Sequence, residues 1–207
     1  MKENTADKFN KVAKFYNTPI FQILYLGIHT ACFNFIKNYI KSNFKILDIA
    51  CGTGIFLKKI DRRKKSLRLF GIDNSEGMIS IAKKKPSDIY FTTADAEKIM
   101  FGNNFFDFIT IIDAFYYFKN KETVFKECSR VLKPNHYLFI YYPALDIFPN
   151  FLLKQIKIIS KLLFFNLEEF SEFPKLIEIQ EMANKNCFRL VKKKGMILNR
   201  YLLFQKI

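Results

Sequence analysis

Residues 46–56 read ILDIACGTGIF, and this stretch decides the fold. The chain holds only 7 glycines among 207 residues, yet Gly52 and Gly54 stand two apart directly behind an apolar run. A short, mostly apolar run (residues 44–50) ending in glycine reads as a buried strand followed by a tight turn. Glycine there lets a ligand lie against bare backbone, and four of the seven glycines, Gly52, Gly54, Gly71 and Gly77, fall between residues 52 and 77 and read as the backbone on which it rests.

Working outward, residues 55–60 read as a helix ending in charge, and residues 67–72 as a second strand with Asp73 at its tip. Asn74 and Ser75 offer an N-cap for a helix with apolar positions Met78, Ile79 and Ala82. That helix closes in Lys83, Lys84 and Lys85 before Pro86. Strands follow at residues 89–93 and 106–112. Asn120 caps a helix whose apolar positions Val124, Phe125, Cys128, Val131 and Leu132 keep the helical period until Pro134, before a strand at 137–142. This alternation predicts a parallel sheet with helices on both faces. After Pro143 the rhythm breaks, and a helix near residues 175–184 precedes two last strands, 187–192 and 198–205, joined by KKKG.

The composition bounds the partners. Half the residues are apolar, which argues against disorder. The four cysteines, Cys32, Cys51, Cys128 and Cys187, are far apart with no C-x-x-C pair, so neither a zinc site nor a disulfide framework is predicted, and a reducing cytoplasm fits. The opening MKENTADKF is polar, without the apolar centre of a signal peptide. The apolar stretches 20–36 and 151–165 are too short or too interrupted by polar residues to suit a membrane span. A net charge of +15 suits a polyanionic partner, but abundant Lys, Asn, Ile and Phe also fit an AT-rich gene.

In a doubly wound sheet the ligand binds beyond the carboxyl ends of the strands, which puts Cys51–Gly54 at the bottom of the crevice. No P-loop pattern occurs, and the dinucleotide fingerprint G-x-G-x-x-G fails at Leu57. Asp73 is placed to accept two ribose hydroxyls, and Asp95, after the third strand, an exocyclic amine. A ribose acid and a base-reading acid without a pyrophosphate loop favour adenosine joined to something other than pyrophosphate.

ILDIACGTG, GIDNSEGMISIAKKK, DAEKIMFGNNFFDFIT and ECSRVLKP, in that order and spacing, resemble the class I S-adenosylmethionine-dependent methyltransferases over residues 45–142. The acid-x-Ala-x-Gly-Thr-Gly motif and the leading FNKVAKFYN are similar to the ubiquinone/menaquinone C-methyltransferases and related lipid-methylating enzymes. The resemblance implies an α/β, Rossmann-like doubly wound sheet of seven mainly parallel strands with an antiparallel final strand, in one domain. Its parts are a helical cap at 1–43, a cofactor core at 44–142, a lid-like insertion at 143–173, and a last helix and strands at 174–207. It implies that S-adenosylmethionine binds through Asp48, Ala50, Gly52 and Gly54 around the methionyl part, Asp73 at the ribose, Asp95 and Ala96 at the adenine, and Ile112 beside the methionyl or sulfonium region, with Asn74 also among the cofactor-binding residues. Where relatives often carry a His pair after the fourth strand, this chain has Tyr116 and Tyr117.

Methyl transfer from a sulfonium is an in-line displacement with a neutral leaving group, so alignment supplies much of the rate and a dedicated base is optional. Asp113, directly after the fourth strand, is the candidate for contact with the acceptor, with a turn-capping carboxylate as the competing reading. Tyr116 and Tyr117 either hydrogen-bond the acceptor or pack. His29 and His136 lack partners of metal-ligand spacing and read as structural. No metal is predicted.

The basic run at 58–68 falls at the end of a helix away from the crevice, so a solvated face is favoured over a nucleic-acid site. Residues 151–165, FLLKQIKIISKLLFF, with Lys154, Lys157 and Lys161 on one stripe, suit a lid over an apolar substrate, a helix lying on a membrane, or an ordinary core helix. The expected acceptor is a small apolar or lipid-like molecule. An RNA or protein methyltransferase, or a cofactor-binding protein without turnover, is the alternative.

Overall fold

Strand β1 (Lys45–Ile49) is buried along almost its whole length, and its neighbours explain why. In the computed structural model, which describes residues 5–16, 18–63, 66–84, 86–143, 174–196 and 199–207, β1 lies between β2 (Arg68–Asp73) and β4 (Phe106–Ile112), parallel to both. β3 (Tyr90–Thr93) extends β2, and β5 (Leu132–Pro143) extends β4, again in parallel. β7 (Asn199–Lys206) runs antiparallel between β5 and β6 (Phe188–Met196). The seven-stranded order is therefore β3-β2-β1-β4-β5-β7-β6. The reversal of strand order between β1 and β4 is where such sheets bind ligands.

Helices cover both faces. On one, α2 (Pro19–Ile36), α3 (Ile55–Arg63) and α4 (Glu76–Lys83) bury Cys32, Ile36, Phe56, Leu57, Ile60 and Ala82 against the sheet. On the other, α5 (Lys121–Val131) and α6 (Leu176–Lys185) contribute Val124, Phe125, Cys128, Ile179 and Ala183. Every residue of β4 is buried, as a central parallel strand requires. α1 (Thr5–Tyr16) packs on α4, and a 3-10 turn (Lys37–Tyr39) leads toward β1.

Local chemistry matches the expected helix starts. Ser75 Oγ accepts from the Met78 N–H at 3.1 Å, and Asn120 Oδ1 from the Thr123 N–H at 3.0 Å. The cap of α4 is thus Ser75, while Asn74 is exposed.

Four expectations need correction. β1 ends at Ile49, because Ala50 turns into the left-handed region at φ 56. α5 ends at Val131 rather than at Pro134, which lies inside β5, whose start pairs out of register with β4. KKKG is no connection: Lys192–Gly195 form part of β6 and pair with Leu203–Arg200, since antiparallel pairing with β7 outweighs charge repulsion on an exposed edge. Of the glycines at 52–77, Gly71 and Gly77 serve packing. A side chain on Gly71 would meet Phe91 at 2.7 Å, and one on Gly77 the Asn10 backbone at 3.2 Å. The helix expected at 151–165 lies outside the described residues. Among those residues, no helix is long and apolar enough to cross a membrane.

Candidate active site

The crevice forms where β1, β2 and β4 end side by side. Their exits carry left-handed backbone at Ala50 (φ 56), Gly52 (φ 54), Gly54 (φ 74) and Asp113 (φ 55). Left-handed conformation in Ala and Asp costs energy, and such residues gather where a site needs the chain to turn away and expose it. A Cβ on Gly52 would meet nothing within 4 Å, so the space beside its backbone is open. Gly54 is different: its Cβ would lie 2.5 Å from the Phe91 ring. Gly54 is therefore needed to seat α3 against β3, whatever else it does.

The loop is fastened to β2 by the carboxylate at the tip of that strand. Asp73 Oδ2 accepts from the Gly52 N–H at 2.8 Å and Oδ1 from the Ser75 N–H at 2.9 Å. Each oxygen keeps a second lone pair, so the group retains acceptors for two hydroxyls. Burial raises its pKa while the two N–H bonds lower it. Asp48 is buried within β1 and accepts from Thr110 Oγ at 2.6 Å. Burial pushes its carboxyl up to about 7, against the Thr110 bond and reinforced by Asp73. Asp95 is exposed and its Oδ1 accepts from the Glu97 N–H at 2.9 Å, while Ala96 is buried beside it. The Ile112 side chain is buried, in the core cluster to which α2, α3 and α4 contribute.

At the β4 exit the Asp113 N–H donates to the Tyr141 carbonyl at 2.9 Å, which holds the residue in its left-handed turn. Its carboxylate accepts from the Tyr116 hydroxyl at 3.0 Å and from the Tyr25 hydroxyl on α2. Burial pushes the Asp113 carboxyl up to about 6, opposed by these two phenols. Tyr117 stands against Tyr116, with ring centroids 4.3 Å apart. The structure thus brings Asp113, Tyr116 and Tyr117 together.

Several residues here were not marked individually by the sequence, although Asn10 and Tyr16 fall within the leading FNKVAKFYN. Asn10 on α1 accepts from Ser75 Oγ at 2.7 Å and from the Gly77 N–H at 2.9 Å, laying α1 beside the Asp73 tip. Tyr16, Tyr25 and His29 line the cap side, Tyr25 lying 5.8 Å from each of the Tyr16 and His29 rings. His29 also meets Phe56 at 5.6 Å. The buried His29 ring is held near pKa 4 by burial and Lys59, and so is neutral, as a structural residue would be. FNKVAKFYN marks the segment but not which way Asn10 and Tyr16 face, and Tyr25 lies in the mostly apolar α2, where a tyrosine reads as packing. His136, at the other end of the sheet, accompanies Asp107 at 3.4 Å.

The donor set fits an adenosyl sulfonium ligand: an open glycine backbone, a ribose-competent carboxylate, and further carboxylates suited to a positive centre. Nothing in it resembles a pyrophosphate cradle.

The comparisons with known proteins agree. Residues 47–140 match a family model described as a methyltransferase domain. A demethylmenaquinone methyltransferase of Thermotoga maritima is 38% identical over 89 residues, covering 43% of this chain and 39% of that protein. A ubiquinone/menaquinone biosynthesis C-methyltransferase of Campylobacter jejuni is 28% identical over 148 residues, 67% of this chain and 63% of its own. The chain thus spans less than two thirds of the curated relatives it matches here. Among solved structures, an S-adenosylmethionine-dependent methyltransferase of Thermotoga maritima, described as a possible histamine N-methyltransferase, superposes with a TM-score of 0.75 at 17% identity, over 98% of this chain and 99% of that one. One from Aquifex aeolicus gives 0.72 at 18% identity, over 96% and 98%. Residues 47–140 thus match a methyltransferase domain in sequence, and the described chain shares the fold of solved S-adenosylmethionine-dependent methyltransferases.

Proposed function

We propose that the protein transfers a methyl group from S-adenosylmethionine to a small apolar or lipid-like acceptor, of which a demethylated quinol is the leading example. What supports the reading is that the carboxyl ends of β1, β2 and β4 gather an open glycine backbone and the carboxylate of Asp73 at the same edge of the sheet as Asp113, Tyr116 and Tyr117. The quinone-methylating relatives favour the acceptor class.

S-adenosylmethionine supplies an electrophilic methyl whose departure leaves a neutral thioether. The chain's part is to hold and to orient. Asp73 offers its remaining lone pairs to the ribose hydroxyls, with Asn74 beside it. Ala50, Gly52 and Gly54 present main chain to the methionyl part, alongside Asp48, and Ile112 adjoins the reacting end. Asp95 and Ala96 read the adenine edge. On the acceptor side Asp113, ionised near neutral pH, can take a proton from an acceptor hydroxyl, while Tyr116 and Tyr117 shape the entrance. The basic run at 58–68 does not favour RNA. Lys58 Nζ donates to the Ala82 carbonyl at 2.8 Å, tying α3 to α4, and Arg62 and Arg63 end α3 on the side leading back to the start of β2.

The test is calorimetric titration with S-adenosylmethionine, followed by measurement of S-adenosylhomocysteine released with a demethylated 1,4-naphthoquinol. Binding and turnover support the reading. Absence of binding overturns it, and binding with turnover only on RNA or protein replaces the acceptor. Gly52→Val should abolish binding in a folded protein, because its side chain would fill the open space beside the loop.

A further inference from the structure

Asp113 is reached from two sides by matched pairs of phenols. From the η turn after β4 (Phe115–Tyr117) comes Tyr116, which donates to Asp113 and is itself hydrogen-bonded to Tyr117. From the helical cap comes Tyr25 of α2, hydrogen-bonded both to Asp113 and to Tyr16 of α1. An ionised carboxylate can only accept, so each inner phenol donates to it and has a lone pair left for the outer phenol. The ring of Phe9 on α1 then closes the circuit, 6.1 Å from Tyr16 and 5.2 Å from Tyr117. α1, α2 and the η turn are thereby joined around one carboxylate.

We propose that Tyr25 is a positioning residue of the methyl-transfer site: with Tyr116 it clamps the Asp113 carboxylate, so the helical cap completes the acceptor side instead of merely covering it. This rests on the reading of Asp113 as the carboxylate that faces the acceptor. Geometry supports it in two ways. Asp113 holds a left-handed turn that its own side chain does not favour, and two donors from different elements fix where its oxygens point. Charge-assisted hydrogen bonds are about twice as strong as neutral ones, so each phenol favours the ionised form. Groups that act electrostatically with Asp113 include Tyr16, Tyr25 and Cys32 from the cap helices, Tyr116 from the η turn, and Tyr141 from β5. A cation, Lys8 of α1, lies over the outer Tyr117 ring at 5.9 Å, and the influences that oppose burial at Asp113 itself are the Tyr116 and Tyr25 hydrogen bonds.

The experiment follows the Asp113 carboxyl carbon by NMR in protein labelled at aspartate, with Asp113→Asn to assign the signal. Its midpoint should lie near 6 in the parent and rise by about one pH unit, a tenfold gain in proton affinity, in Tyr25→Phe. The acidic limb of methyl transfer to a demethylated 1,4-naphthoquinol should move with it while S-adenosylmethionine affinity holds. An unchanged midpoint in folded Tyr25→Phe overturns the proposal. Should that variant fail to fold, Tyr16→Phe must raise the midpoint by a smaller amount, or the proposal falls. Asp113→Asn separates the two readings: full turnover in that variant removes the acceptor-side role of Asp113 itself, whereas lost turnover with an immobile midpoint in Tyr25→Phe removes only the clamp.

Discussion

At the amino end of β4, Asp107 meets Lys133 Nζ at 2.6 Å, lies 3.4 Å from a His136 nitrogen, and accepts the Lys45 N–H at 2.8 Å. At the carboxyl end of the same strand, Asp113 is held by phenols, and on neighbouring strands Asp48 is held by a threonine hydroxyl and Asp73 by two backbone N–H groups. Both ends bury carboxylates. Among the described residues, Asp107 at the amino end is met by a side-chain cation, whereas the donors named above for Asp48, Asp73 and Asp113 are neutral. A buried carboxylate held by neutral donors is costly to the fold and ready for a positive or hydrogen-bonding ligand. The raised pKa values of Asp48, Asp73 and Asp113 are the record of that cost.

The sharpest way to break this contrast is Asp73→Ala. It removes acceptors for two ribose hydroxyls, each charge-assisted bond contributing about 1.5–3 kcal/mol, and also unfastens Gly52. Calorimetry should show S-adenosylmethionine affinity falling by at least about a hundredfold; unchanged affinity in a folded variant would remove the ribose role.

Asp48→Asn comes next. With an unfolded value of 3.8 and a folded value of about 7, Asp48 does not alter stability below pH 4, where both states are protonated. As pH rises from 4 to 7 the folded state retains a proton that the unfolded state has lost, so stability falls, and the penalty is complete above 7. Comparing denaturant unfolding of parent and variant at pH 4 and pH 8, their difference should shift in favour of the variant by up to about 4 kcal/mol. A difference independent of pH would show that Asp48 ionises normally.

The opposite sign is expected at the other end. Asp107→Asn should destabilise the fold at neutral pH by about 1–3 kcal/mol, since it deprives Lys133 of its counter-charge and weakens the bond to the Lys45 N–H. Cofactor affinity should not change. The smallest effect is Ala50→Gly, which relieves a left-handed alanine at φ 56 and should raise stability by roughly 0.5–1 kcal/mol in thermal unfolding.

How much of this was legible beforehand differs by element. β1, β2 and β4 were legible because strands buried on both faces leave short apolar runs, and the caps at Ser75 and Asn120 because short polar side chains there have one good use. The first half of β6 was legible too, but its second half was not, because Lys193–Gly195 look like a loop until β7 supplies pairing partners at Leu202, Tyr201 and Arg200. Gly54, Gly71 and Gly77 read as ligand-facing glycines, yet each abuts Phe91 or Asn10, contacts made by residues distant in the chain.

The sequence by itself determined the order of strands and helices, the strand ends on which Asp48, Asp73 and Asp113 stand, and the glycine loop between the first two. All of these depend on local pattern and on the fixed hand of parallel crossovers. Only the tertiary structure decided which groups surround those carboxylates. Tyr25, from a helix that precedes β1, meets Asp113 with Tyr16 behind it, across nearly ninety residues of chain, and Asn10 meets Ser75 across 65. A tyrosine's hydrogen-bond partner depends on how one helix is rotated and docked upon the sheet. Side-chain packing sets that rotation, and no local run of residues encodes it.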